Sequence, residues 1–516
     1  MLAKVHSYVL QGIDAITCEV EVDVMRGTGG SLDGPIKPVI VGLPNAAVKE
    51  SMDRLRSALF NSGYSFPDDK VVVNLAPADI RKEGAALELP IATGLLYASK
   101  RIKTDLHRTF LIAGELALDG SVRPIKGVLS LAMLAKEMGR RGVLVPPENA
   151  AEAAVVPDVE VYAIDSIATL VGFLNGDLAL EPEVPRSDDH AVGMNTYDID
   201  FSDVRGQELA KRALTIAAAG GHNMLLLGPP GAGKTMLCTR LPTILPPLTR
   251  QEALETTRIY SAAGLVPKGQ SLLTQRPVRM PHHSASGPAL IGGGSIPKPG
   301  ECSLAHHGVL FLDELPEFSR HVLEMLRQPL EGGEVVIARA HSSVMFPARF
   351  MLVAAMNPSA GGHGSVDPRN AKASEVAAVD RYMNRLSGPL LDRIDIHLEV
   401  PAVTYRDLTS KAKGTDSATM RQRVLDARTR QNERFGKQST MTNASMRSND
   451  LGLHVKLDEP CLLLMKQAME ELGLSARAFD KVRRVARTIA DLDNSVQVQA
   501  QHISEAIQYR LLDRRF

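Results

Sequence analysis

The sequence predicts an α/β protein in three parts: an N-terminal α+β domain, a central α/β domain built on a phosphate-loop pattern, and a helical end. Three observations predict it. Strand-like and helix-like runs alternate in the first part, a buried strand, a glycine-rich turn and a helix follow one another in the middle, and apolar residues recur at three- and four-residue spacing near the end. The segment 177–200, DLALEPEVPRSDDHAVGMNTYDID, is rich in Pro and Asp and lacks periodicity, so it reads as an acidic linker or strap. The expected division is therefore 1–176, a linker 177–200, 201–402 and 403–516.

In the first part, VVVNL (71–75), FLIAGEL (110–116) and GVLVP (142–146) are strand-like. AAVKESMDRLRSALFNSG and GVLSLAMLAKEMG read as helices stopped by Gly63 and Gly139. In the middle part, AKRALTIAAAGG is a helix, NMLLL a buried strand, GPPGAGKT a turn and MLCTRLPTIL the helix it opens. VLFLDE and RFMLVAAMN are further strands, and GGEVVIARAHSSVMFPARF reads as a β-hairpin. At the end, MRQRVLDARTRQNERFG, PCLLLMKQAMEELGLS and AFDKVRRVARTIADL are helical. The first of these is basic and reads as a solvated face in preference to a DNA contact.

Composition narrows the function. The 516 residues are 44% hydrophobic, too apolar for a disordered chain and too long for one ordinary domain. No apolar run approaches the roughly 20 residues of a bilayer crossing, and the start lacks a cleavable apolar core, so no membrane association and a cytoplasmic location are expected. Basic and acidic residues balance at 59 each, which gives no general attraction to polyanions; any such site must be local. Four dispersed cysteines, Cys18, Cys238, Cys302 and Cys461, form neither a metal pair nor a disulfide framework.

Gly228, Pro229, Pro230, Gly231, Ala232, Gly233, Lys234 and Thr235 satisfy GxxxxGK[ST] between a strand and a helix. Such a turn aims backbone N–H groups and a helix N-terminus at phosphates. Lys234 would meet the β and γ phosphates of ATP, and the Thr235 hydroxyl would take one Mg²⁺ position. About eighty residues on, VLFLDE ends in Asp313 and Glu314, placing one carboxylate to hold Mg²⁺ through water and one to deprotonate an attacking water. Glu314 alone also fits a helix cap. Asn357, at the tip of RFMLVAAMN, fits a contact to the γ-phosphate water or a turn cap before Pro358. Arg393, in LLDRID, fits an ion pair within its own subunit or a finger reaching a neighbour's phosphate.

Two insertions carry local charge. SAAGLVPKGQSLLTQRPVRMPHHSASGPALIGGGSIPKPG holds Lys268, Arg276, Arg279, His282, His283 and Lys298; the hairpin holds Arg339, His341 and Arg349. In a ring, Arg279, Lys298, Arg339 and Arg349 would line a pore and grip a phosphate backbone despite a neutral chain. His282 and His283 equally suit internal hydrogen bonds, and no third and fourth ligand cluster beside them in sequence to make a zinc site.

The phosphate loop, VLFLDELPEF, MNP and LSGPLLDRID, together with DVRGQELAKRAL, RMPHHSASGPALIGGG and LSARAFDKVRRVARTIADL, resemble the magnesium-chelatase-like AAA+ ATPases of the ComM/YifB family. The resemblance covers nearly the whole chain. It implies a Walker A pair in Lys234 and Thr235, a Walker B pair in Asp313 and Glu314, and sensor 1 in Asn357. It further implies an arginine finger acting in trans in Arg393, a sensor 2 arginine in Arg477, and adenine-side contacts at Gly206 and Gln207. Arg381, Arg385 and Arg483 are rivals for the arginine roles and read rather as structural. A finger in trans implies a homohexameric ring. GELALDGSVRPIKGVLSLAMLAKEMGRRGVLVPPEN and RKEGAALELPIA are similar to the Lon proteolytic domain, but Ala86 and Leu129 stand where a serine–lysine dyad would need its partners, so no peptidase activity is expected. Cysteines that the family commonly carries after the Asn-Pro are absent here, where a glycine-rich stretch at 359–374 reads as a flexible loop, which puts in doubt any family role that needs a metal there.

The family implies an ATP- and Mg²⁺-dependent DNA motor, with helicase or branch-migration activity in recombination of incoming DNA during natural transformation, acting with recombination proteins. The alternative is an ATP-driven remodelling subunit of a magnesium-chelatase-type metal-insertion complex.

Overall fold

The computed structural model describes residues 1–25, 38–82, 84–185, 197–294, 297–339, 342–357, 386–405, 414–436 and 440–510. They form two compact units. The first comprises Met1–Val192 with Arg250–Thr274, and the second Gly193–Thr249 with Gln275–Phe516. Residues 250–274, expected inside 201–402, thus pack with the N-terminal part. The helix Arg250–Ala263 explains it: Leu254 joins the core beside Leu129 and Val156, Arg258 pairs with Asp14, and the Ser261 carbonyl accepts from Gly127 N–H.

The first unit is built on a seven-stranded mixed sheet in the order Val39–Val41, Lys70–Ala76, Asp14–Met25, Leu2–Gln11, Phe110–Ile112, Gly142–Val145, Glu160–Ala163. The three strand-like runs lie in it, FLIAGEL breaking after Ile112 into a separate short strand Glu115–Leu116. The long hairpin Leu2–Gln11 with Asp14–Met25, antiparallel from Leu2↔Asp23 to Gln11↔Asp14, was not foreseen. Side chains that alternate along a strand face opposite sides, so both faces carry a core. Phe110, Ile112 and Leu144 enter one apolar cluster; Leu111, Val143 and Val145 enter the other. The helices Ala46–Asn61 and Val128–Glu137 end as expected, with Gly63 and Gly139 at positive φ just beyond them.

The second unit holds a five-stranded parallel sheet in the order Val278–Arg279, Val309–Leu312, Met351–Met356, Met224–Leu227, Ile396–Glu399. All strands point the same way, so the segments after Leu312, Met356 and Leu227 gather at one edge, where parallel sheets place their ligands. The hairpin predicted from GGEVVIARAHSSVMFPARF is present as Glu334–Arg339 paired with Ser342–Pro347. The helices Ser417–Phe435, Glu459–Leu472, Ala476–Leu492 and Ala500–Gln508 follow.

The basic helix Ser417–Phe435 departs from the solvated face expected of it. Arg421 donates to the Thr243 carbonyl, Arg428 to Ala218, Arg430 to the Asp491 carbonyl, and Arg434 to the Asp491 carboxylate. Periodicity had marked these arginines as polar, but only packing decides whether a long cation caps carbonyls or meets water. Among the described residues, no helix is long and apolar enough to cross a membrane.

Candidate active site

The glycine-rich turn leaves Leu227 and enters the helix Lys234–Arg240. Gly228 is required by close approach: a Cβ there would stand 2.2 Å from the Val400 carbonyl oxygen of the neighbouring strand end. Gly233 caps the helix in a left-handed conformation (φ 88°), which aims the helix N-terminus along the turn.

Lys234 is buried at the base of this turn. Its ammonium donates to the carbonyls of Gly228 (2.7 Å) and Pro229 (2.9 Å) and to Asn357 Oδ1 (3.0 Å), one acceptor for each N–H. Burial lowers its pKa, against the opposing pull of Asp313. Next to it the Thr235 hydroxyl donates to Asp313 Oδ2 at 2.8 Å. Asp313 also accepts from the Glu314 N–H through Oδ1 (2.9 Å), and Glu314 adopts a left-handed backbone (φ 51°) immediately after the strand. The structure therefore brings Lys234, Thr235, Asp313 and Asn357 together from three adjacent strand ends, with Glu314 exposed beside them.

Gln207 bridges two parts of this edge, donating to the Pro401 carbonyl at 2.7 Å and the Ala232 carbonyl at 3.4 Å, with a left-handed backbone beside Gly206 at φ 62°. It ties the helix Glu208–Gly220 to the phosphate turn.

The two remaining arginines have other partners. Arg393 is largely buried, held by Glu331 and the Pro389 carbonyl. Arg477 is well exposed and lies 3.6 Å from Asp392. Of the rivals, Arg483 donates to the Leu451 and Val455 carbonyls as a structural strut, while Arg381 and Arg385 fall outside the described residues, as does the stretch 359–374.

The insertion cations divide. Arg279 forms a two-point ion pair with Glu301 at 2.6 and 2.8 Å, and Arg276 donates to the carbonyls of Pro246, Pro247 and His307. Both are occupied within the fold, a function the sequence did not signal. Lys298 and Arg349 are exposed; Arg339 ends a hairpin strand, and its side chain lies outside the described residues.

The sequence also missed a buried anchor. Asp395, next but one to Arg393, reaches His222 (3.3 Å) and Lys481 (3.6 Å), and His222 continues to the Thr488 hydroxyl (2.8 Å), joining the strand Ile396–Glu399 to the helix Ala476–Leu492. Burial alone would push the Asp395 carboxyl up, but Lys481 and His222 hold it well below the usual carboxylate range. The signal was LLDRID itself, whose second acid, Asp395, stands two places after Arg393.

In the first unit, the positions at which the resemblance to the Lon domain would put a serine–lysine dyad are Ala86 and Leu129. Leu129 is buried in a core, and the Ala86 carbonyl accepts from the Gly114 N–H. Ser130 donates to the Ile13 carbonyl (2.6 Å) and accepts from Arg258 (3.1 Å). All four cysteines are free and buried.

A parallel sheet whose edge gathers a glycine-rich turn, a hydroxyl–carboxylate pair and a polar side chain is consistent with a magnesium-chelatase-like AAA+ domain. The family model described as magnesium chelatase, subunit ChlI, matches residues 200–408, that of subunit ChlI of Mg-chelatase matches 20–149, and that of the ChlI C-terminal part matches 414–510. Competence protein ComM of Haemophilus influenzae is 45% identical over 99% of this chain and 98% of its own length, and the uncharacterized protein YifB of Escherichia coli is 43% identical with the same coverage. The magnesium-chelatase 38 kDa subunit of Rhodobacter capsulatus is 26% identical over 59% of this chain and 90% of its own length. The chain belongs to the ComM/YifB family of magnesium-chelatase-like proteins.

Proposed function

We propose that this protein is an ATP-dependent DNA motor, a helicase or branch-migration enzyme serving recombination of incoming DNA in natural transformation, and that it works as a homohexamer. The observation that carries the reading is the pair of contacts Lys234–Asn357 and Thr235–Asp313, which join three neighbouring strand ends into one polar cluster beside the glycine-rich turn. A hydroxyl and a carboxylate 2.8 Å apart form the hard oxygen donor set that suits Mg²⁺. Thr235 and Asp313 would hold that ion, which neutralises charge on the phosphates when bound. Lys234 exchanges its carbonyl and amide acceptors for phosphate oxygens, Asn357 orients the water, and Glu314 accepts the water's proton. Gly206 and Gln207 lie on the adenine side.

Arg393 and Arg477 would complete the site, Arg393 from a neighbouring subunit. The Glu331 pair that now holds Arg393 would have to be exchanged for the neighbour's phosphate. The exposed Lys298 and Arg349, with Arg339 on the hairpin, are proposed DNA contacts. The name of the ComM relative, a competence protein, supports the biological setting. The N-terminal unit is proposed to be Lon-like in fold and without peptidase activity.

Strand displacement on branched DNA tests the reading. Wild type with ATP should separate strands, whereas Glu314→Gln should bind ATP and fail; displacement without ATP would refute it. The second reading, remodelling in a metal-insertion complex, is favoured by the chelatase descriptions of all three matching family models. It predicts ATP hydrolysis indifferent to DNA of every form.

A further inference from the structure

The carboxylate assigned above to proton abstraction has a neighbour that its sequence motif does not contain. The edge strand Val278–Arg279 runs parallel to Val309–Leu312 (Val278↔Val309, Arg279↔Leu310), so the chain that leaves it starts alongside the strand that delivers Asp313 and Glu314. The excursion is closed at its base by the two-point Arg279–Glu301 ion pair. Within it, His282 stacks on His283 with ring centroids 4.0 Å apart, and His282 Nδ1 is fixed by the Ser284 hydroxyl at 2.8 Å. His283 also meets the Phe318 ring at a near-perpendicular tilt of 83°, with centroids 6.5 Å apart. In contact with both rings, the imidazole places Nδ1 3.5 Å from Glu314 Oε2.

We propose that His283 is a positioning residue for Glu314: it restrains one carboxylate oxygen and so selects the rotamer in which the other is presented to the attacking water. The proposal rests on the reading of Glu314 as the general base. The physical need is plain. Glu314 is half exposed, and a free glutamate spreads over many rotamers, most of them unproductive for proton transfer. An imidazole braced by an aromatic edge and a second imidazole restrains it without taking both oxygens. The ion-paired base then ties that brace to the sheet, which gives Arg279 and Glu301 a function in holding His283 rather than in gripping a polyanion.

The test is steady-state ATP hydrolysis by the full-length protein with wild type, His283→Ala, His283→Gln and Glu314→Gln in parallel, together with binding of a fluorescent ATP analogue. His283→Ala should lower kcat by about 10- to 100-fold with KM and nucleotide affinity little changed, the upper end being the size expected when a reacting group is misplaced by about an ångström. His283→Gln, whose amide still offers an N–H, should recover most of the loss. If His283→Ala turns over at the wild-type kcat while Glu314→Gln is inactive, the positioning proposal falls and the assignment of Glu314 stands. Loss of nucleotide affinity in step with kcat, or no recovery in His283→Gln, also overturns it. Wild-type turnover by Glu314→Gln would instead remove the assignment on which it rests.

Discussion

Two buried lysines, one in each compact unit, show what makes a site. Lys82, in the first unit, is fully buried and donates to the Pro77 carbonyl; Lys234, in the second, is buried and donates to the Pro229 and Gly228 carbonyls. Burial lowers the pKa of both. The difference lies in what else converges. Lys234 meets Asn357 and stands beside the Thr235–Asp313 pair at the open end of a parallel sheet, on a turn whose glycines let backbone N–H groups face outward. At Lys82 the charges that oppose the effect of burial are Cys18 and Asp79, and among the described residues its ammonium is bonded by the Pro77 backbone carbonyl and by no side chain. A desolvated cation is thus a packing feature until acceptors, donors and a carboxylate share its locality.

The comparison can be broken most forcefully at Lys234. Lys234→Ala should weaken ATP binding by about 2–5 kcal/mol, roughly 30-fold to several thousand-fold, because a desolvated charge partner of the phosphates is lost. Titration with a fluorescent ATP analogue measures it, and Lys82→Met should leave that affinity unchanged. If both variants bound nucleotide alike, convergence would not be the distinguishing property.

A third buried charge sharpens the point. Asp395 is surrounded by cations rather than carbonyls, so Asp395→Asn should lower unfolding stability by about 3–5 kcal/mol by leaving Lys481 uncompensated, as read by chemical denaturation. The sign with pH follows from its depressed carboxyl. Its contribution is full above the ordinary aspartate value of about 4 and is lost as pH falls below it toward the folded-state value. The stability gap between wild type and Asp395→Asn should therefore shrink on acidification.

The smallest effect is expected at Lys82 itself. Lys82→Met keeps the apolar stem and strands one carbonyl, a cost of about 1–3 kcal/mol in the same denaturation experiment. A larger loss would mean that its ammonium has a structural role beyond the Pro77 contact.

These contrasts also mark what the sequence could reveal. The turn from Gly228 to Thr235, the acids after VLFL and the Asn after MLVAAM are local patterns, and a parallel sheet gathers such strand ends without further information. Glycine stops at Gly63 and Gly139 were legible for the same reason, since the chain needs positive φ there. Partners were not. Nothing in the spacing of Arg276, Arg279 or Arg393 says that carbonyls, Glu301 and Glu331 take them up, because those contacts bridge residues brought together only by packing. The membership of 250–274 in the first unit was hidden similarly: Leu254 and Arg258 look like ordinary helix residues until their counterparts, Leu129 and Asp14, are beside them.

The central claim is that each phosphate-cleaving centre combines Glu314 of one subunit with Arg393 of the next. Mixing two inactive variants tests it most directly. Glu314→Gln should lower hydrolysis by about 10²–10⁴-fold and Arg393→Ala by about 10³–10⁵-fold, each with ATP binding retained. When the two proteins are mixed under conditions that assemble the oligomer, boundaries that pair an intact Glu314 with an intact Arg393 should restore hydrolysis far above either variant alone. A mixture no more active than its components, or an Arg393→Ala protein that hydrolyses ATP at the wild-type rate, would contradict it.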